Sequence, residues 1–424
     1  MKIALISEHA SPLATLGGVD SGGQNVYVAS IARELARAGH TVDVYTRCDD
    51  DSLPGIVPFA PGVRVLHIPA GPRRYVPKED LLPYMQEFAL RMANYCTPSS
   101  RRYDVVHANF FMSGIVAARL QEELGMPFVM TFHALGKVRR LHQKDADRFP
   151  AVRTSIEEQL VQRADRIIAE CPQDRDDLID LYDADPARID VIGCGVDIEE
   201  LHNAGCGVRT VLGVSDDELL VLQLGRMVPR KGVDNVIRAI GCLKRDHGIR
   251  AQLLVVGGES SAPDPVLTPE IGRLMAVADQ EDVRALVSFV GQRPRQMLRH
   301  YYSSADVFVT TPWYEPFGIT PLEAMACGTP VIGSNVGGIK HTVLDEVTGY
   351  LVPPNDPGAL AERLARFHRN PELARAFGRA GIRHVRTHYT WRKIAEQVAD
   401  VYAATAQPAR VRRISTTQET VATL

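Results

Sequence analysis

The feature that most constrains this chain is a rhythm. Short apolar runs alternate with helical patterns, and the cycle runs twice. "KIALISE" is followed by "QNVYVASIARELARAGH", where Val26, Ile31, Leu35 and Ala38 recur at roughly helical spacing before Gly39 ends the pattern. "TVDVYTR", "VRVLHIPA", "YDVVHANF", "PFVMTFHA", "RIIAE" and "IDVIGCGV" follow as strands, most of them separated by amphipathic segments. Strands alternating with helices imply a parallel sheet covered on both faces. After the Gly-rich, polar stretch 199–217 the cycle restarts with "LLVLQLGR", "AQLLVVGG", "LVSFVGQ", "DVFVTTP" and "PVIGSNV". The fold class is therefore α/β, with two doubly wound domains, 1–198 and 218–388, joined by a linker at 199–217. A final amphipathic helix at 389–405 is expected to pack back towards the first domain, and the tail 406–424 is expected to be mobile. Ligand is expected in the cleft between the carboxyl ends of the two sets of strands.

Composition narrows the function classes. A length of 424 residues is long for one core and suits two domains. A net charge of -3 supplies no field for a polyanion, so nucleic acid is not the expected partner. The N-terminal apolar run is interrupted at Glu8 and no long apolar window follows, which points to a cytoplasmic protein without a transmembrane segment. The 7 cysteines form no CxxC pair and read as reduced thiols.

Four stretches carry chemistry. "GGVDSGGQNVYV" places Gly22 and Gly23 ahead of a helix, where backbone N–H groups can meet an anion; a plain turn is the competing reading, since neither a dinucleotide fingerprint nor a P-loop lysine is present. "LGRMVPRKG" puts Arg226 at a strand end and Lys231 at a helix entry, either to neutralise a leaving diphosphate or as solvated charge. "VVGGES" repeats the strand-to-glycine step at Gly257. In "YEPFGITPLE", Pro316 and Gly318 separate Glu315 from Glu323, so the two acids sit on different local structures. Thr320, Pro321 and Glu323 fit an N-cap, a first-turn proline and a capping-box glutamate, so loss of stability on substitution is expected at Glu323 alone. Glu315 has no cap to serve.

Other polar residues are less specific. His133, at a strand end in "TFHALG", read alone is a structural hydrogen-bond partner. The D-x-D strings at Asp145–Asp147 and Asp183–Asp185 lie in polar, surface-like segments, so no metal is expected. Arg73, Arg74, Lys78, Lys137, Arg139, Arg140 and Arg153 form a basic set in the first domain. An acceptor phosphate, a solvated face and an anionic membrane patch all fit it.

Taken together, "GGVDSGGQNVYV", "VHANFFMSG", "TFHALGKV" and "EPFGITPLEAMACGTPVIGSNVGG" resemble the GT-B retaining glycosyltransferases of glycosyltransferase family 4, from Met1 to about Tyr402. The resemblance is to the branch of sucrose-phosphate synthases and of the mycothiol-pathway transferases that glycosylate inositol phosphate. It implies two Rossmann-like domains, with Glu315 facing the donor sugar and Glu323 holding the nucleotide ribose. It implies that Phe317, Gly318 and Ile319 offer backbone N–H groups to the donor, with Gly22, Gly23 and Gly257 in the donor loops and Arg293 beside the base. Arg226 and Lys231 would hold the diphosphate, and His133 would meet the sugar near the reacting carbon. Asn25, Lys78, Lys137 and Arg153 would serve the acceptor.

By the same resemblance, attack is front-side, the leaving diphosphate takes the acceptor proton, and neither cofactor nor metal is needed. The implied partners are a nucleotide diphosphate sugar, UDP-glucose above others, and a small phosphorylated acceptor such as fructose 6-phosphate; assembly into a homo-oligomer is left open. The chain departs from the inositol-phosphate enzyme at Phe110 and Ala134, where that enzyme carries tyrosine and threonine. Rival readings are a transferase working on lipid-linked or polysaccharide acceptors at the inner membrane face and a catalytically silent nucleotide-sugar-binding protein. A dehydrogenase is disfavoured, because no dinucleotide fingerprint follows either first strand.

Overall fold

Val, Ile and Leu dominate the central strand runs such as "IALI", "LLVL" and "LLVV" without polar alternation, so those strands must be covered on both faces. The computed structural model, which describes residues 1–14, 22–205, 207–215 and 218–406, shows how. The first sheet holds β1 (Lys2–Ile6), β2 (Thr41–Arg47), β3 (Ile56–Ala60), β4 (Val63–Ile68), β5 (Val105–Asn109), β6 (Phe128–Thr131), β7 (Arg166–Ala169) and β8 (Ile189–Val191). Their order is β3-β4-β2-β1-β5-β6-β7-β8. The second sheet holds β9 (Leu219–Leu224), β10 (Ala251–Val256), β11 (Val287–Gly291), β12 (Val307–Thr310), β13 (Val331–Ser334) and β14 (Gly349–Val352), in the order β11-β10-β9-β12-β13-β14. Every named strand pair is parallel except β3 with β4.

Strand order reverses at β1 and β5 in the first sheet and at β9 and β12 in the second. In open parallel sheets such switch points open a crevice at the carboxyl ends of the strands. The chain following β1, β5, β6 and β7 lines one wall of that crevice, and the chain following β9, β10 and β12 lines the other. The helix Trp391–Ala406 runs back from the second domain onto the helix Gly23–Arg37 of the first. There Tyr402 and Trp391 are buried with Tyr27 in an apolar cluster that also includes Leu322 and Met325, so one core passes through both halves. Among the described residues no helix is long and apolar enough to cross a membrane.

Three sequence-based expectations change. The strands named from sequence include neither β3 nor β14. β3 is a half-exposed antiparallel edge strand, and β14 is the short "GYLV", whose Gly349 has no room for a side chain: a Cβ there would meet the Val331 carbonyl at 2.0 Å. The stretch 199–217 is not a free linker: it contains the helix Gly207–Leu212, and the buried Arg209 binds Asp306 at 2.9 Å and the Glu218 carbonyl at 2.6 Å. The capping box at Thr320 does not form, because the helix starts two residues earlier, spans Ile319–Ala326 and is capped by Gly318 at φ 86°. The first glycine pair of "GGVDSGGQ" and all but the first residue of the tail 406–424 lie outside the described residues.

Gly232 ties the two loops of the second domain's switch point. It adopts φ +65°, and a Cβ would fall 2.1 Å from the Thr311 carbonyl, while the Thr311 hydroxyl donates to the Gly232 carbonyl at 3.1 Å. Gly232→Ala is expected to cost about 2 kcal/mol or more, read as a lower urea midpoint for the second domain. An unchanged midpoint would show that the two loops are not locked together.

Candidate active site

The crevice is a cavity of about 420 Å³. Its second-domain wall is built from two loops that lie against each other. The turn Pro229–Lys231 follows β9 and the segment 313–318 follows β12. Trp313 donates its backbone N–H to the Arg230 carbonyl at 3.2 Å and its indole N–H to the Pro229 carbonyl at 3.0 Å. Between the loops sits Glu315. Its Oε2 accepts from Lys231 Nζ at 2.5 Å and from Arg230 Nη1 at 3.3 Å. Its backbone carbonyl accepts from Gly338 N at 3.3 Å, and Gly337 lies so close that a Cβ would be 1.8 Å from that oxygen. Burial works against the charged carboxylate, yet Lys231 and Arg230 outweigh it and hold Glu315 below the usual carboxylate range. Burial in turn brings the Lys231 ammonium below the ordinary lysine range, with Glu315 opposing.

Glu323 lies one helical turn further on and is buried. Arg295 Nη1 donates to its Oε1 at 2.9 Å and the Tyr302 hydroxyl to its Oε2 at 2.9 Å. Arg295 also binds Glu200 at 2.7 Å. Gly318 opens the helix N-terminus, so the backbone N–H groups of its first turn, which have no partner within the helix, face the cavity that Phe317, Gly318 and Ile319 line. Gly257 N–H is committed to the Gly291 carbonyl at 3.0 Å, and a Cβ on Gly257 would strike the Gly225 carbonyl at 2.0 Å. Arg293 spends its guanidinium on Tyr301 at 2.9 Å and on the carbonyls of Ser261 and Gln292 at 2.6 and 2.8 Å, shaping that end of the cavity.

The first-domain wall carries two histidines. His133 adopts φ 57°, a strained value for a non-glycine residue, and meets an acceptor at each ring nitrogen: Glu170 Oε1 at 3.0 Å and Asn109 Oδ1 at 3.0 Å. The Asn109 amide nitrogen donates to the Ile6 and His107 carbonyls, both at 3.3 Å, which orients its oxygen towards His133. Burial opposes the Glu170 charge, and His133 with the Cys194 thiol overcomes it, leaving Glu170 below its ordinary range. His9 holds Glu8 at 2.7 Å, and Ser113 donates to the other Glu8 oxygen. Lys78, Arg139, Phe110 and Ala134 complete this wall.

The comparisons with known proteins bear on a site already described. Residues 21–200 match the family model described as Glycosyltransferase Family 4, and residues 208–384 match that described as Glycosyl transferases group 1. The chain is 36% identical over 412 residues to the D-inositol 3-phosphate glycosyltransferase of Streptosporangium roseum, with 95% of this chain and 93% of that one covered. It is 37% identical over 409 residues to the protein of the same name from Actinosynnema mirum, covering 95% and 96%. This chain belongs to glycosyltransferase family 4. Its GT-B fold superposes on sucrose-phosphate synthase from Thermosynechococcus elongatus with TM-score 0.85 and 34% identity, over 95% of this chain and 98% of that one. Anabaena HepE, solved with UDP-glucose, shares the fold at TM-score 0.72 and 19% identity, over 95% of this chain and 100% of that one.

Of the residues singled out from sequence, this glycosyltransferase brings His133, Arg226, Lys231, Glu315, Glu323, Gly22, Gly23, Asn25, Lys78, Gly257, Arg293 and the 317–319 backbone to one cavity. It does not bring Lys137 there. The Lys137 ammonium turns outward to Glu158 at 2.7 Å and the Leu181 carbonyl at 2.5 Å. Arg153 lies behind the wall, 1% exposed, bound to Glu157 at 2.7 Å and to the Ala134 carbonyl, among the rings of Phe110, Phe111 and Phe149, with Nη1 left without a partner. Asn25 lines the cavity but spends its amide on the Ser11 carbonyl and on Gly22 N–H, both at 2.9 Å. In the D-x-D strings, Asp147 pairs with Arg139 and Asp185 accepts from Ala187 N–H, so both serve local structure.

Sequence reasoning missed Arg230, Arg295, Glu170, Asn109 and the Glu8–His9 pair. Asn109 ends β5, and Glu170 and Glu8 follow β7 and β1, so a strand-end rule applied to acids and amides as well as histidines would have found them. Glu315 carries ion pairs of its own, so a loss of stability is expected on its substitution as well as at Glu323. Because its folded-state pKa is depressed, the contribution of Glu315 is present above the unfolded carboxylate range and lost as pH falls through the folded value. Glu315→Gln is therefore expected to lower Tm most near neutrality, with the gap to the parent protein closing below about pH 4. A gap that stays constant across thermal melts from neutral to acid pH would refute the ionised pair.

Proposed function

We propose that this glycosyltransferase moves a hexose from a nucleoside diphosphate sugar, UDP-glucose above others, to a small phosphorylated acceptor such as fructose 6-phosphate, with retention of configuration, without a metal and in the cytoplasm. The observation that carries this is the division of charge in one cavity. Arg226, Arg230 and Lys231 stand on the second-domain wall, where a donor diphosphate fits, and Lys78 and Arg139 stand on the first-domain wall, where a second phosphate fits. A ligand pair with an anion at each end suits both. The relatives named for inositol 3-phosphate and the structural neighbour named sucrose-phosphate synthase support a phosphorylated acceptor. Phe110 and Ala134 offer no hydroxyl to the acceptor, which favours fructose 6-phosphate over inositol phosphate.

On this reading the acceptor hydroxyl attacks the anomeric carbon from the face that the diphosphate leaves. The leaving oxygen accepts the hydroxyl proton as the glycosidic bond to phosphate breaks. Arg226 and Lys231 stabilise the charge that develops on the diphosphate, and Glu315 orients the sugar through its hydroxyls rather than attacking it. Glu323, anchored by Arg295 and Tyr302, presents its remaining lone pairs to the ribose diol.

The test is a matrix of UDP- and GDP-sugars against fructose 6-phosphate, inositol phosphate and unphosphorylated sugars, read by nucleoside diphosphate release. Release that requires UDP-glucose and fructose 6-phosphate together is the expected result; release with inositol phosphate only, or with unphosphorylated sugars only, would overturn it. Arg226→Ala and Lys231→Ala are each expected to lower kcat by roughly 10²–10³, and near-parent rates would remove the leaving-group assignment. In excess EDTA the rate is expected to hold at its untreated value, whereas a strict requirement for Mn²⁺ or Mg²⁺ would sink the metal-free mechanism.

A further inference from the structure

Lys231 has two claims on it. In the structure its ammonium is bound to Glu315 at 2.5 Å, and in the function proposed above the same ammonium holds the donor diphosphate. A single compact charge cannot fully serve a buried carboxylate and a diphosphate at once. If Lys231 leaves, Glu315 is a buried carboxylate beside a newly arrived anion. Glu170 adds to that negative charge from the first domain, where His133 is its own partner, and Arg226 lies within electrostatic reach of Lys231.

Arg230 answers this problem by position. Its Nη1 donates to the same Glu315 Oε2 that Lys231 occupies, at 3.3 Å, and to the Tyr314 carbonyl at 3.1 Å. Its own carbonyl accepts from Trp313 N–H at 3.2 Å. Arg230 is thus moored to the 313–315 segment by side chain and backbone together, while Lys231 reaches that segment through a flexible ammonium arm. Arginine also stays charged at every pH at which the protein is folded.

The geometry points to Arg230 as a positioning residue that keeps the Glu315 carboxylate ionised and in place while Lys231 shifts its ammonium from Glu315 to the donor diphosphate. This rests on the donor assignment of the preceding subsection. Without Arg230, the arrival of the diphosphate draws a proton onto Glu315, because the carboxylate loses its last cation. With Arg230 it does not. Nucleotide binding then brings no proton to Glu315 in the parent protein, and does so in the variant, on top of whatever proton change the UDP phosphate makes in both.

Calorimetric titration of UDP in two buffers of different ionisation enthalpy, near pH 6, measures this coupling directly. Arg230→Met is expected to take up roughly half a proton or more per UDP beyond the parent protein, and Arg230→Lys to restore the parent value. Equal proton uptake in all three proteins overturns the proposal, as does an excess in Arg230→Met that Arg230→Lys fails to reduce. A purely structural role for Arg230 would lower stability and affinity without moving the proton count. Lys231→Met binding UDP as tightly as the parent would overturn the donor assignment itself, and the two failures are read from different variants.

Discussion

The Glu315 carboxylate, held from one side by two cations and from the other by two glycines, is the interaction on which the site depends. Lys231 and Arg230 fix its side chain, and Gly337 and Gly338 close on its backbone. Through that one residue three loops, those after β9, β12 and β13, become a single rigid wall. Gly232, pressed against Thr311, does the same for the loop bases. Glycine is needed at these contacts because backbone meets backbone with no room for a Cβ. Charge then works on a scaffold that cannot yield.

The first-domain wall is rigid for a different reason. His133 sits at a strained backbone angle and is gripped at both ring nitrogens, and Tyr27 packs its ring edge-on at 5.0 Å. Tyr27 in turn lies against Trp391 of the helix that returns from the second domain, and Tyr402 of that helix bonds His107 at 2.5 Å. Burial holds His107 down to about 3, so this contact stays uncharged. The returning helix is thus linked through Tyr27 to the His133 ring that lines the cavity. A change in how that helix packs reaches His133 through aromatic contacts.

Much of this was legible in the chain. The paired α/β architecture follows from strand-length apolar runs between helical patterns, because no other arrangement buries both. The charged groups of the second-domain wall were legible too: Arg226 after β9, Lys231 at a helix entry, and Glu315 and Glu323 in the stretch after β12. What was misread depended on neighbours distant in sequence. Glu323 looked like a capping partner for Thr320, yet Gly318 can enter the helix at positive φ and moved its start, which left Glu323 to Arg295 and Tyr302. Lys137 and Arg153 looked alike as loop cations. Tyr182 and Glu158 drew one outward, and three phenylalanines with Glu157 buried the other.

The sequence by itself determined the fold class, through periodicity, and carried the motifs whose resemblance pointed to the family and to the main charged groups, since periodicity and motifs are local properties of successive residues. Tertiary structure alone decided which charges meet. That Arg230 shares the oxygen of Glu315 bound by Lys231, and that Glu170 and Asn109 hold His133 between them, are consequences of parallel sheets bringing distant strand ends to one edge. No local pattern encodes such a meeting, because the partners are separated by 85 residues in one case and by 37 and 24 in the other.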